Sequence, residues 1–141
     1  MSKEIEMELA RVLIQEESTQ QYVLLREKNG AREFNIVVGT AEAITIDRRL
    51  KGKITPRPMT HDLLNNTIEA LGGYLERVVI NDLRPIEVSG VSSFTFFSLL
   101  VIKQVDHWVQ IDARPSDAIV LSIVKETPIY VSQHVLVQAI Q

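Results

Sequence analysis

The order of predicted strands and helices repeats within the chain. Residues 42–44, Glu-Ala-Ile, align with residues 117–119, Asp-Ala-Ile, and the same offset of 75 residues pairs Leu24-Leu25 with Leu99-Leu100. In each half a strand and a hairpin precede one helix, and a second helix follows. We interpret this order as the duplication of a β-β-β-α-α unit. It predicts an α+β fold in which mixed or antiparallel sheets pack against helices.

The length of the chain predicts a single domain. It has 141 residues, of which 45% are hydrophobic and 23% are charged. A globular chain of this size buries enough surface to hold its own core. We therefore expect one domain over residues 1–141, with pseudo-repeats at about residues 5–73 and 74–141.

Alternation of apolar and polar residues predicts most of the strands. Asn29-Gly30 lies between two apolar runs, which is the strongest short signal for a hairpin. Residues 84–93, which include Pro85 and Gly90, are predicted to form a loop. The predicted strands are residues 5–13, 22–28, 32–38, 74–83, 94–104, 107–113 and 129–131.

Apolar periodicity and terminal signals predict the helices. Thr60 and Ser132 are the predicted caps of two of them, because a hydroxyl accepts hydrogen bonds from exposed backbone N–H groups. Gly72-Gly73 is the predicted stop of the second helix. The helix over residues 115–126 is apolar on nearly all sides, so we expect it to be buried. The predicted helices are residues 40–50, 60–73, 115–126 and 133–140.

The composition argues against several classes of protein. The formal net charge is −3 and the pI is about 5.6, whereas a protein that binds nucleic acid by charge alone usually has a basic face. The absence of cysteine excludes disulfides and thiolate metal sites and fits a reducing cytosol, so we expect a cytoplasmic protein. Residues 1–14 lack the apolar run of a signal peptide, and no stretch approaches the length of a membrane span.

Two similar stretches contain most of the residues that could carry chemistry. They are "RPMTHDLL", residues 57–64, and "RPSDAIVL", residues 114–121. On a structural interpretation their hydroxyls and acids cap two helices and their arginines form local ion pairs. The capping residues are then Thr60, Asp62, Ser116 and Asp117.

On a functional interpretation the same side chains form a phosphodiester-cleaving site. Arg57 and Arg114 bind phosphate, because a guanidinium group matches it with two hydrogen bonds, and Thr60 and Ser116 lie beside them. His61 acts as general acid or base, a role that histidine side chains commonly have.

Acidic residues near these stretches could hold a hard divalent cation such as Mg²⁺, which activates water. The candidate ligands are Asp62, Asp112 and Asp117, and Glu42 is the counterpart of Asp117 in the first half. The basic run contains the best candidates for contact with a phosphate backbone. It comprises Arg48, Arg49, Lys51, Lys53 and Arg57.

Other catalytic and binding motifs are absent from the sequence. The three histidines lack the spacing of a zinc site, and there is no glycine-rich phosphate loop and no G-x-S-x-G elbow. Phe94 and Phe96 share one face of a predicted strand, so we expect them in the core and not as stacking platforms for bases.

The two Arg-Pro motifs resemble those of the bifunctional nuclease family. The matching stretches are "RPMTHDLLNNTIEALGGYLERVVINDL" and "VQIDARPSDAIVLSIVKETPIYVSQHVL", and the resemblance covers about residues 5–137. It implies a small α+β protein that self-associates and has nuclease activity on RNA and DNA. The motif residues that carry over are Arg57, Thr60, His61, Asp62, Asp112, Arg114, Ser116 and Asp117.

Two hypotheses follow. In the first, the protein is a low-specificity nuclease in which acids hold a cation, arginines bind phosphate and His61 moves a proton. In the second, it is a non-catalytic, oligomeric regulatory or protein-interaction module in which the same residues cap helices and bridge subunits. The acidic pI favours the second hypothesis, and the charged motifs favour the first.

Overall fold

A computed structural model describes residues 3–140, which form seven strands and four helices. The strands are β1 (Glu4–Leu13), β2 (Gln20–Glu27), β3 (Glu33–Gly39), β4 (Tyr74–Val88), β5 (Val91–Lys103), β6 (Trp108–Ala113) and β7 (Ile129–Ser132). The helices are α1 (Thr40–Leu50), α2 (Thr60–Ala70), α3 (Pro115–Lys125) and α4 (Gln133–Ala139). The α+β class is confirmed. No helix in this part of the chain combines the length and the apolar character needed to cross a membrane.

The strands form one mixed sheet in the order β3-β2-β1-β7-β4-β5-β6. The first half of the chain supplies one side and the second half supplies the other, with β7 between β1 and β4. β7 pairs antiparallel with β1 and parallel with β4. Because β7 also separates the last two helices, the second half departs from a plain β-β-β-α-α order. The duplication stays a prediction.

The longest hairpin corrects the prediction of a loop at residues 84–93. β4 and β5 remain paired up to Val88 and Val91, so only Ser89 and Gly90 form the turn. Both turn residues have positive φ, 54° and 77°, as a two-residue turn between right-twisted strands requires. Pro85 fits within β4 because β7 pairs with β4 only further back, at residues 78–80, which leaves this part of the hairpin with a free edge.

The core surrounds α3. Four successive residues of this helix, Ala118 to Leu121, are fully buried, and the helix contacts α1, α2, β3, β4 and β5. The prediction of a buried helix is confirmed. Phe34 on β3 stacks on Phe96 of β5 with 5.5 Å between ring centroids, although four strands separate these two in the sheet order. The sheet therefore curls around the central helix.

The prediction for the two phenylalanines is half wrong. Phe96 packs against the core, but Phe94 is 67% exposed. Phe94 pairs with Pro85 on the part of the hairpin that extends past the neighbouring strands, where no core lies beneath it.

The predicted caps at Thr60 and Ser116 are also wrong. Met59 is the N-cap of α2 and Arg114 is the N-cap of α3. Asp62 reaches back instead and accepts a hydrogen bond from the Met59 backbone N–H at 2.9 Å. In α3, Pro115 itself occupies the first helical position, which suits proline because no N–H is needed there. Ser116 is then enclosed within the first turn, and it is 7% exposed.

Candidate active site

A cleft of about 350 Å³ lies among three helices. Most of its lining comes from the first turns of α1, α2 and α3, from the last turn of α1 and from the loop that follows α1. Four basic and three acidic side chains take part in its lining. The lining residues are Ala41, Glu42, Thr45, Arg48, Arg49, Lys53, Thr55, Met59, Thr60, His61, Asp62, Arg114, Asp117 and Val124. The two Arg-Pro motifs therefore contribute to one cleft.

His61 and Asp117 form the contact between the two motifs. Nε2 of His61, in the first turn of α2, lies 3.0 Å from Oδ1 of Asp117, in the first turn of α3. The histidine side chain is 17% exposed and the aspartate side chain is 32% exposed. A carboxylate at this position fixes the orientation of the imidazole ring.

Arg114 joins the two halves of the chain. Its Nε donates to Oδ2 of Asp117 at 3.0 Å, and its Nη2 donates to Oε1 of Glu42 at 3.0 Å. Glu42 and Asp117 are the residues that the internal alignment makes equivalent. The two counterpart acids therefore bind the same guanidinium group, which ties α1 to α3.

These contacts shift the pKa of both partners. Burial alone would raise the pKa of Asp117, but hydrogen bonds from Arg114 and His61 and the charges of those groups outweigh it and lower the pKa. The hydrogen bond to Asp117 raises the pKa of Arg114, and Glu42 adds to the effect. Asp117 is therefore a carboxylate at neutral pH.

Asp62 is held from two sides. Its Oδ1 accepts from the guanidinium of Arg49 in the last turn of α1, and its Oδ2 accepts from the Met59 backbone N–H. Its side chain is 17% exposed. The ion pair connects the last turn of α1 to the first turn of α2. Asp62 therefore both caps its own helix and lines the cleft.

The structure divides the predicted set of site residues. Thr60, His61, Asp62, Arg114 and Asp117 line the cleft, together with Glu42. Three predicted residues do not line it. They are Arg57, which is exposed in the loop between α1 and α2, Ser116, which is buried in α3, and Asp112.

Asp112 corrects the expectation of a cation site built from three acids. It is exposed on β6 and pairs with Leu99 of β5. Its neighbours Ile111 and Ala113 pair with Leu100 and Ser98, and alternation along the strand turns Asp112 to the opposite face. Among residues 3–140, no three His, Asp or Glu side chains are grouped so that they could hold a metal ion.

Sequence reasoning missed Arg49 as the partner of Asp62. It identified Arg49 only as one member of a basic run, and no spacing rule links a helix end to the start of the next helix across a loop. Glu42, by contrast, could be found because the internal alignment makes it equivalent to Asp117.

Fold and cleft together define an α+β protein with a His–Asp pair and several basic residues at one helix-lined site. The chain belongs to the bifunctional nuclease family, because a model of the bifunctional nuclease domain matches residues 23–141. The family predicted from the Arg-Pro motifs is thus confirmed. The chain is also 36% identical over 134 residues to Uncharacterized protein MT1877 and to Uncharacterized protein Rv1829, from two strains of Mycobacterium tuberculosis. Each match covers 95% of this chain and 75% of the relative.

Proposed function

We propose that the protein is a low-specificity nuclease that hydrolyses phosphodiester bonds in RNA and DNA. The observation that carries the proposal is the contact of 3.0 Å between His61 and Asp117 in a cleft with basic side chains. Membership of the bifunctional nuclease family supports a nucleic acid as the substrate.

His61 is the general base of the proposed reaction. With Nε2 held by Asp117, the other ring nitrogen, Nδ1, accepts a proton from the water that attacks phosphorus. The Asp117 carboxylate stabilises the imidazolium that forms, and Arg114 keeps Asp117 in place through a second hydrogen bond. The imidazolium then returns the proton to the leaving oxygen. A positioned acid–base group of this kind contributes about 10²- to 10⁴-fold to a rate.

The proposal includes a divalent cation, for which Asp62 and Asp117 would be the protein ligands. Mg²⁺ in proteins is usually held by one or two carboxylates, with waters and substrate phosphates in its remaining positions, so Asp62 and Asp117 would be the residues that hold it. When bound, such a cation polarises the phosphate and lowers the pKa of its water. Both acids hold arginines in the structure, so Arg49 and Arg114 compete with the cation for them.

A second candidate function is an oligomeric interaction module without catalysis. The ion pairs of Arg49 with Asp62 and of Arg114 with Glu42 and Asp117 favour a role without catalysis, because they join three helices of the fold. Under this alternative the acids only support the fold, and their loss changes stability or assembly and no activity.

The test compares the purified wild type with His61→Asn, Asp62→Asn and Asp117→Asn on single-stranded RNA and DNA, with Mg²⁺ and with EDTA. Asp106 and His107 supply the matched control, because they form a similar contact, at 3.4 Å, on an exposed turn. We expect His61→Asn and Asp117→Asn to lose about 10²-fold or more in rate and Asp106→Asn and His107→Asn to keep the wild-type rate. Hydrolysis that persists unchanged in His61→Asn and in Asp117→Asn would assign the activity to another site or to a contaminant.

A further inference from the structure

We infer that Arg48 and Lys53 bind the phosphate backbone of the nucleic acid at the rim of the cleft, an assignment that rests on the proposed nuclease function. Both residues line the cleft together with His61 and Asp117. The Arg-Pro arginines, Arg57 and Arg114, then have no primary part in holding phosphate.

The charges of the cleft differ from those of the whole molecule. The chain has a formal net charge of −3, but four basic side chains oppose three acidic ones along the cleft. The cleft is therefore locally positive on an acidic protein. Such a patch attracts a polyanion to one place on a surface that otherwise repels it.

Two of the four basic residues are already neutralised by carboxylates. Arg49 is paired with Asp62, and Arg114 is paired with both Glu42 and Asp117. Withdrawing Arg114 to bind phosphate would leave two acids facing the substrate, which would repel it. Arg57 is not a lining residue of the cleft; it is exposed in the loop before α2, where its backbone carbonyl accepts a hydrogen bond from Thr55.

Arg48 and Lys53 are the remaining two. Among residues 3–140, neither has a carboxylate oxygen within 4.0 Å, whereas the neighbouring Arg49 and Lys51 each have one. Both are exposed. Their charge is therefore available to a ligand without the loss of an existing ion pair.

The backbone places these two residues side by side. α1 ends in a Schellman motif, in which the Lys53 N–H donates to the Arg48 carbonyl and the Gly52 N–H donates to the Arg49 carbonyl, each at 3.0 Å. Gly52 supplies the positive φ, 71°, that this motif needs. Local backbone geometry thus holds these two basic residues next to each other, so one segment of phosphate backbone lies within reach of both side chains.

The test measures how binding of a single-stranded oligonucleotide depends on salt. A phosphorothioate oligonucleotide of about 12 nucleotides, within the usual site sizes for single strands, resists hydrolysis during fluorescence anisotropy. Each phosphate contact contributes about 0.7 to the slope of log K against log salt for single strands. We expect Arg48→Gln/Lys53→Gln to bind at least 10-fold more weakly at low salt and to reduce the slope by about 1.4.

Two controls test the assignment. Arg11→Gln/Lys103→Gln removes the same charge from exposed strand positions outside the cleft lining, and Arg57→Gln removes the sequence-predicted arginine. Both are expected to keep the wild-type slope. A wild-type slope in Arg48→Gln/Lys53→Gln, or an equal loss in the Arg11→Gln/Lys103→Gln variant, overturns the inference while cleavage by the wild type still supports the nuclease. A wild type that neither binds nor cleaves overturns both.

Discussion

The imidazole of His61 and the carboxylate of Asp117 lie in contact, 3.0 Å apart, although 56 residues separate them in the sequence. Each belongs to a different Arg-Pro motif and to the first turn of a different helix. The contact exists because α2 and α3 pack together with their N-terminal ends at the same cleft. It brings the histidine of one motif and a carboxylate of the other to one place in the cleft.

If these two side chains act as one unit in hydrolysis, their losses are not additive. We expect the double variant His61→Asn/Asp117→Asn to be about as slow as the slower single variant, because removal of either member disables the same proton transfer. Measurement of kcat/KM for the wild type and the three variants on one substrate checks this. Additive losses would show that the two residues act in separate steps.

The stability of the protein should depend on pH through Asp117. Its pKa is lowered in the folded state by Arg114 and His61 despite burial, and in the unfolded chain it is about 3.9. The carboxylate therefore stabilises the fold above about pH 4, and this contribution is lost as the pH falls through the lower folded-state pKa. Urea unfolding at several pH values should show the wild type and Asp117→Asn converging at acid pH and differing most at neutral pH. A difference that stays constant from pH 7 to acid conditions would contradict this, and Asp106→Asn, on an 88% exposed side chain, should show none.

Truncation within α3 should be costly. Leu121 is fully buried at the centre of the core, so Leu121→Ala is expected to lower the free energy of unfolding by about 2–5 kcal/mol. Ile54→Ala is the matched control, because Ile54 is 91% exposed and its loss should change stability by about 0.5 kcal/mol at most. Chemical denaturation of both variants measures the two changes in the free energy of unfolding. Equal effects would mean that α3 is not the helix around which the sheet packs.

Alanine substitution at two glycines with similar backbone conformations should lower stability equally but should weaken oligonucleotide binding at only one of them. Gly52 and Gly90 have φ values of 71° and 77°, and an added Cβ would meet no atom within 4 Å at either position. Replacement of either by alanine therefore costs only backbone strain, about 1–2 kcal/mol. Thermal unfolding should show similar losses. Oligonucleotide binding should weaken in Gly52→Ala alone, since that glycine forms the turn between Arg48 and Lys53. Equal binding by both variants would show that the Schellman motif has no part in phosphate recognition.

Local patterns in the sequence predicted most elements of the fold. The Asn29-Gly30 hairpin, the bounds of α1 and the buried α3 were all found, because each depends on periodicity or on turn residues within one segment. The prediction of a loop at residues 84–93 was wrong because Pro85 indicates the end of a strand. Proline is tolerated in a strand that has no neighbouring strand on one side, and the sequence does not show that β7 ends before Pro85.

The candidate site was predicted less well than the fold for a related reason. His61, Asp62, Arg114 and Asp117 were found because they lie in two similar Arg-Pro motifs. Asp112 was assigned to the same site by its nearness in sequence to Arg114, but alternation along β6 turns its side chain away. The division of the basic residues into paired and available ones depends on side-chain contacts between separate helices, and spacing along the chain does not contain that information.

The central position of β7 has a consequence for how the protein is made. The strand that joins the two sides of the sheet comes from residues 129–132, far along the chain from its partner β1. A ribosome adds about 5–20 residues per second, so β1 must wait for more than a hundred residues before its second partner emerges. Until then its edge, with the backbone groups of residues 4–7 unpaired, is open to wrong partners. We therefore expect slow assembly of the sheet and sensitivity to chaperone supply.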